Sequence, residues 1–541
     1  MDLILINGKI ITMNASNPRA EAVAIKNGKF AKVGSNDTVL AFKSDNTEII
    51  DLKEKMLVPG FNDSHMHLLN FGYSLQMVDL SGTKSIEEII DRSKDFISKN
   101  NFEPGTWIKG KGWNQELFSE KRFPNRYDLD KISTEYPICF TRSCLHITVV
   151  NSKALELAGI NKNTPQVEGG LFDVDEKGEP LGIFRENARQ LIYDNIPDPS
   201  IEDIKNMILD ASNLALSKGI TSIQSDDFEA LPGKNFENVI KAYKELNENG
   251  KLPIRIYEQC LLPHIDRLKT FLDMGYRTGQ GNAFFKIGPL KLLGDGSLGA
   301  RTAYMCKPYA DDPSTSGIPV FTQEELNELI ITAHDAGMQV AVHSIGDRMM
   351  YMAFEAIEKA MSKNPRNNAR HGIIHCQITD ENLLNKFKDL DIVAYIQPIF
   401  TSSDWQIVGE RIGKERAKTT YNWKTMVDMG VHIACGSDCP VEPFDVLPGI
   451  YASVTRKDLN GNPENGWLPE QKLTVDEALY GFTLGGAYAS FEDDIKGSIE
   501  ECKLADMAVL SDDIYEINPD KIKDVTVEMT FVGGKLAYQK K

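Results

Sequence analysis

Residues 332–344 read TAHDAGMQVAVHS, and they hold the unit from which the fold is built. A helical segment stops at Gly337, a residue suited to the left-handed cap, and a short apolar run follows that ends in the polar residues His343 and Ser344. The pattern recurs as ALSKGITSIQSDD at 215–227, with Gly219, and as TMVDMGVHIACGSD at 425–438, with Gly430. Helix, glycine and buried strand repeating in this order describe αβ units of a parallel sheet. Helix starts agree: Ser85 with Glu88 and Thr322 with Glu325 have capping-box spacing, each ahead of an amphipathic segment.

Outward from these units, eight strands are expected: 56–61, 220–225, 254–259, 284–293, 339–343, 372–375, 392–396 and 432–436. Eight parallel strands with intervening helices predict an α/β fold of the (β/α)8 TIM-barrel type, whose active-site residues sit at the C-terminal strand ends. A doubly wound sheet is the weaker alternative, because no Gly-rich dinucleotide loop is present. The gap between the first two strands predicts a large insertion over 75–195, placed as a lid or substrate wall at the barrel mouth. Both ends of the chain read as short strands with tight turns. LILI, KIITM, AVAIK and KFAKVG are punctuated by Asn7-Gly8 and Asn27-Gly28, and LADMAVL and VTVEMTFV precede Gly533-Gly534. Residues 1–57 and 490–541 are therefore expected to form one composite β-sandwich, with 58–489 as the barrel.

Composition narrows the partners. The chain has 541 residues, 41% hydrophobic and 26% charged, with 60 basic and 78 acidic side chains and a net charge of −18. This is ordinary globular composition, and its negative balance opposes binding to nucleic acid or anionic lipid. No apolar stretch approaches the roughly 18 residues that cross a bilayer. The start, MDLILINGKI, lacks a basic n-region and its apolar run ends at Asn7, so a cytoplasmic protein is expected. Eight Cys without a CxxC pair suit a reducing compartment better than a disulfide framework.

The chemistry is expected at the strand ends. His65 and His67 follow the first predicted strand, and residues two apart in an extended segment project to one side, so both imidazoles can reach one metal ion. A His-x-His pair by itself is as readily two solvated histidines. The pair gains meaning because His343, His375 and Asp438 end the fifth, sixth and eighth strands, and a barrel mouth collects strand ends in one place. The fourth strand carries Lys286 and Lys291, of opposite parity. A lysine amine buried among apolar groups favours its neutral form and can add carbon dioxide, giving a carbamate whose oxygens bridge two cations. Lys291 is the choice, since it lies just before the polar turn Gly294-Asp295-Gly296; a salt-bridged lysine is the ordinary alternative for either.

VPGFNDSHMHL, GPLKLLGDGSLGARTA, VAVHSIGDR, RHGIIHCQ and GSDCPVEP, in that order, resemble the metal-dependent amidohydrolase superfamily, specifically its YtcJ-like branch, amidohydrolase family 3. The resemblance runs nearly end to end and includes GWNQELF, RFPNRYDLD, NSKALELAGI and GSIEECKLADMAVL. It implies an amidohydrolase barrel with a terminal β-sandwich and one or two divalent ions, zinc first. His65 and His67 would hold one metal, His343 and His375 the other, a carboxylated Lys291 would bridge them, and Asp438 would be ligand and proton shuttle. A homodimer is implied by the family alone. Gly372 and Ile374 stand where the family pattern has Arg and Glu, and Cys502 where it has Gly.

The expected reaction is hydrolysis of an amide-like, non-peptide C–N bond of a small molecule by a metal-bound hydroxide, with Asp438 carrying the proton to the leaving nitrogen. The alternatives are a mono-metal deaminase of the same superfamily and a metal-free, non-catalytic module on the same barrel. Trp113, His146, Arg185 and Arg301 are candidates for shaping a substrate pocket, against ordinary roles in core or surface pairing. Cys376 and Cys439, beside two of the ligands, are expected to pack behind the site, and His264, His334, His371 and His432 to be structural.

Overall fold

The computed structural model describes residues 1–100, 102–144 and 146–541. It divides into two compact units, one of 1–71 with 201–541 and one of 72–200.

The first unit contains an eight-stranded, all-parallel sheet. In spatial and chain order its strands are Phe61–Met66, Ile220–Ser225, Arg255–Leu261, Phe285–Leu293, Val340–Ser344, Gly372–His375, Val393–Ile396 and Ile433–Cys435. The last strand returns to the first: Asp438 N donates to His65 O at 2.8 Å, and His67 N donates to Cys439 O at 2.8 Å. These bonds bring the two edges together, as a TIM-type barrel requires. Gly219, Gly337 and Gly430 all have φ between +79° and +86°, the left-handed geometry expected where a helix gives way to a strand. Thr322 forms the full capping box with Glu325. At Ser85 only half forms: Ser85 accepts from Glu88 N, while the Glu88 carboxylate turns to Lys84 N and the Arg92 guanidinium.

One strand lies elsewhere than expected. Met56–Pro59 belongs to a different sheet, and the first barrel strand is Phe61–Met66. The chain changes sheets at Gly60, where a Cβ would stand 2.3 Å from Thr221 Oγ1, so only glycine lets the second barrel strand approach. His65 is therefore on the strand and not beyond it.

The two chain ends build a four-stranded and a six-stranded sheet. The four-stranded sheet runs Lys29–Gly34, Ala22–Lys26, Leu3–Ile6, Glu48–Asp51. The six-stranded sheet runs Lys535–Gln539, Val527–Val532, Met507–Leu510, Met56–Pro59, Lys9–Ile11, Arg19–Ala20. Leu5, Val23, Ile25 and Phe30 from one sheet pack with Ile10, Leu57, Met507 and Phe531 from the other in a single buried cluster. Asn27-Gly28 makes the expected hairpin, both residues having positive φ. Asn7-Gly8 does not: the strands it joins lie in different sheets, and the turn is a crossing between layers.

The second unit, inserted between the first two barrel strands, has its own mixed six-stranded sheet. Its order is Gly170–Val174, Pro180–Glu186, Ile147–Val150, Ile138–Arg142, Ile108–Trp113, Met77–Asp79. The helix Ile86–Lys99 lays Ile86, Ile89 and Ile90 into a core with Val78, Ile108 and Phe140.

Candidate metal centre

The site begins with alternation along the first barrel strand. His65 lies on it and His67 just past its end, with ring centroids 5.2 Å apart. Between them and the eighth strand sits Asp63, whose Oδ1 accepts from His65 N at 3.2 Å and Ser437 N at 3.0 Å, and whose Oδ2 accepts from the Ser437 hydroxyl at 2.5 Å. Burial pushes Asp63 up to about 7 against the pull of these bonds. The turn so held carries Asp438 at φ +60°, and His375 ends the sixth strand at φ +82°. Two non-glycine residues in this sparsely populated region, each beside the other candidate groups, mark backbone held for a purpose other than regular structure.

Three electron-pair donors converge. His65 Nε2 and His67 Nε2 lie 3.3 and 3.1 Å from Asp438 Oδ1, and these atoms lie within 4.8 Å of one another. The tautomers follow from the neighbours. His65 Nδ1 meets Gln259 Oε1 at 2.7 Å and His67 Nδ1 meets the Asp226 carbonyl at 3.2 Å; both partners only accept, so each Nδ1 carries the proton and each Nε2 is bare when the ring is neutral. Two bare imidazole nitrogens facing one carboxylate oxygen are a donor set for a cation. The electrostatics agree. Burial, then the Lys291 ammonium, hold His65 down to about 4. His67, though burial opposes it, is lifted to about 8 by Asp438 and Asp226, so the position draws positive charge. Asp438 is held well below the carboxylate range, since its bonds to both histidines outweigh its burial.

The remaining candidates adjoin this group without joining its tightest core. His375 is fully buried, its ring centroid 5.8 Å from that of His65 and 4.3 Å from that of His343, and its Nδ1 has no hydrogen-bond partner. Burial keeps it far below the usual imidazole range. Phe400 stacks on its ring, centroids 5.8 Å apart. His343 Nε2 lies 3.3 Å from both Gly296 O and Asp295 Oδ1. Lys291 is buried, with Nζ 3.4 Å from His65 Nε2 and 3.4 Å from Asp226 Oδ2, whereas Lys286 pairs with Glu492 at 2.7 Å. The opposite parity expected of the two lysines is cancelled by a register shift between them: Lys286 lies opposite Tyr257 and Lys291 opposite Leu261, so both share one face and differ in their place along the strand. The six candidate ligands thus gather at one end of one barrel, with an orphaned buried nitrogen among them; this donor set fits a divalent ion.

The other candidates have partners of their own. Arg301 forms a two-bond pair with Asp311, at 3.2 and 2.7 Å. Within the second unit, Trp113 is wholly buried in the core with its indole N–H donating to Phe140 O, a packing role. Arg185 pairs with Asp173 over the Phe123 ring, and exposed His146 pairs with Glu186 at 2.9 Å. Cys376 is buried with its thiol on Ile373 O. His334 and His371 bond each other. Among the residues given no role in the sequence reading are Gln259, Asp226 and Asp295. Asp295 binds the amides of Tyr304, Ile345 and Gly346, so it fastens the fourth-strand loop to the end of the fifth. Each had one available signal, a polar residue at the end of an apolar strand.

The profile of the amidohydrolase family matches residues 48–538, and the chain belongs to that family. It is a hydrolase of that family. The chain is 34% identical over 542 residues to YtcJ of Bacillus subtilis (strain 168), a protein named as an amidohydrolase, with all of both chains covered. It is 25% identical to the N-substituted formamide deformylase of Arthrobacter pascens, over all of this chain and 98% of that one. A crystal structure titled as an uncharacterized metal-dependent hydrolase from Pyrococcus horikoshii OT3 superposes with a TM-score of 0.77 at 32% identity, covering 96% of this chain and 99% of that one.

Proposed function

We propose that this enzyme hydrolyses an amide-like, non-peptide C–N bond of a small molecule at a divalent metal centre held by His65, His67, Lys291, His343, His375 and Asp438. The observation that carries the reading is the convergence of His65 Nε2, His67 Nε2 and Asp438 Oδ1 within 4.8 Å. An imidazole-rich donor set with carboxylate oxygen suits zinc. The likeness to a formamide deformylase supports an amide-like substrate. The chain's net charge of −18 supports a small neutral or cationic substrate over nucleic acid or anionic lipid, and no helix among the described residues is long and apolar enough to cross a membrane. A cytoplasmic enzyme is the corresponding reading.

When bound, the ion supplies Lewis acidity, bringing the pKa of water toward neutrality and polarising a carbonyl. Asp438 takes the proton of the attacking water on its carboxylate and returns it to the leaving nitrogen. His65 and His67 present Nε2 beside that carboxylate, and Asp63 holds its turn through Ser437. Lys291, as the amine, adds carbon dioxide with loss of one proton, and the carbamate oxygens extend the donor set toward His343 and His375. The compactness of the His65–His67–Asp438 group favours a single ion, as in the mono-metal deaminase alternative, without by itself selecting deamination.

The test is metal analysis together with turnover. The purified protein should carry divalent ion and release amine from N-formyl or amide substrates, and the His65→Ala/His67→Ala variant should lose both ion and activity. Full metal retention in the double variant refutes the ligand assignment, and ammonia release from an amidine or ring amine in place of amide hydrolysis selects the deaminase.

A further inference from the structure

We infer that Gln259 is a positioning residue for the metal centre: it locks His65 in the one tautomer and orientation that presents Nε2 to a cation. The inference rests on the metal-centre reading above.

Gln259 lies on the third barrel strand and is fully buried. The third strand is not a neighbour of the first, since Ile220–Ser225 lies between them, so the side chain reaches past one strand to touch another. It touches it twice. Nε2 donates to Ser64 O at 3.1 Å, and Oε1 meets Nδ1 of the next residue, His65, at 2.7 Å. The first bond settles the second. A backbone carbonyl only accepts, so the amide nitrogen must face Ser64 and the amide oxygen must face the ring. That oxygen also only accepts, so Nδ1 bears the hydrogen and Nε2 the lone pair. Nε2 is the atom that lies 3.3 Å from Asp438 Oδ1 and 3.4 Å from Lys291 Nζ. Gripping both the ring and the adjacent backbone also fixes the ring's rotation about the strand.

The other histidines show what this adds. His67 obtains the same tautomer from a main-chain carbonyl, Asp226 O, at a longer 3.2 Å, and His375 Nδ1 has no hydrogen-bond partner at all. His65 therefore has the shortest hydrogen bond to a ring nitrogen of the three, supplied by a side chain with no freedom to turn. Partners of this kind, which hold a ligand's far nitrogen, change metal affinity about 10–100-fold when removed.

Two substitutions separate positioning from packing, because both remove the bond to Ser64 and only one removes the bond to His65. Gln259→Met keeps the side-chain length and loses both contacts. Gln259→Glu keeps an acceptor for Nδ1–H and strengthens it by charge, while its second oxygen opposes Ser64 O. The measurement is Zn2+ affinity of the full-length apo-protein by chelator competition, with thermal denaturation of each apo-protein alongside. Gln259→Met should bind Zn2+ about 10–100-fold more weakly than wild type. Gln259→Glu should bind at least as tightly as wild type although its melting temperature falls. If Gln259→Met does not fold, Gln259→Asn, whose acceptor is drawn back from Nδ1 by one methylene, carries the same expected loss. Equal loss in the Met and Glu variants, or none in Met, overturns the inference while leaving the metal centre standing. A wild-type protein that binds no divalent ion removes the centre itself, and the role of Gln259 with it.

Discussion

The barrel's third strand is tied to the terminal sheets by a buried ion pair, and cutting it gives a measurable stability. Asp506 precedes the strand Met507–Leu510 and accepts Arg255 Nε at 2.6 Å and Nη2 at 2.8 Å, with Gly533 N also donating to it at 2.8 Å. The side chains are 3% and 5% exposed. If the carboxylate is removed, Arg255 keeps its bond to Ala283 O, the Phe284 ring face and the more distant charge of Glu492. Leaving a buried guanidinium without its anion costs about 3–5 kcal/mol, and Asp506→Ala should fall in that range. With an unfolding entropy near 2.1 cal/mol/K per residue over the roughly 410 residues of this unit, 4 kcal/mol corresponds to about 4–5 °C of melting temperature. Arg255→Met/Asp506→Leu removes the stranded charge and should recover most of the loss. Urea denaturation and calorimetry on the three proteins measure both effects. An Asp506→Ala protein within about 1 kcal/mol of wild type, or a double variant no more stable than the single, would show that the pair is not the joint described.

Two further outcomes follow from the same structure. Burial by itself would raise Glu492, but Lys496 and Lys286 more than offset it and bring the carboxyl to about 2. A depressed carboxyl stabilises the fold above its unfolded pKa near 4.5 and loses that contribution as the pH falls toward 2, about 3 kcal/mol in all. Urea stability of wild type should therefore drop between pH 5 and pH 3 more steeply than that of Glu492→Gln, and parallel curves would contradict the assignment. At Gly436 a Cβ would stand 2.5 Å from His65 N and 2.9 Å from both Asp63 Oδ1 and His65 O. Gly436→Ala should cost about 1–3 kcal/mol and lower metal content by shifting His65, which denaturation and metal analysis check together.

The likeness between the expected and observed barrel is close for strands two to eight because short apolar runs end in polar residues, and ahead of the second, fifth and eighth a glycine marks the helix end. The first strand shifted because MLVPGFNDS is apolar through Gly60 and gives no local sign that the chain leaves one sheet and enters another there. Asn7-Gly8 misled for the same reason: a turn dipeptide reports the bend and is silent on which strands pair across it. Gln259, Asp226 and Asp295 were unread because their meaning lies in partners far along the chain. Gln259 meets His65 across 194 positions, and Asp295 meets Gly346 across 51.

By itself, the order of residues determined the helix–glycine–strand repeat, and with it which histidines and which aspartate end a strand. Parallel strands deliver their C-terminal residues to one rim, so local periodicity was enough to gather His65, His67, His343, His375 and Asp438. Folding in three dimensions decided the rest. Parity on an uninterrupted strand would part Lys286 from Lys291, but a register shift between them puts both on one face, and their roles were set by place along the strand, with Glu492 beside one and His65 and Asp226 beside the other. The nitrogen each histidine presents was likewise decided by what stands behind the ring, a contact that exists only once distant strands have closed around it.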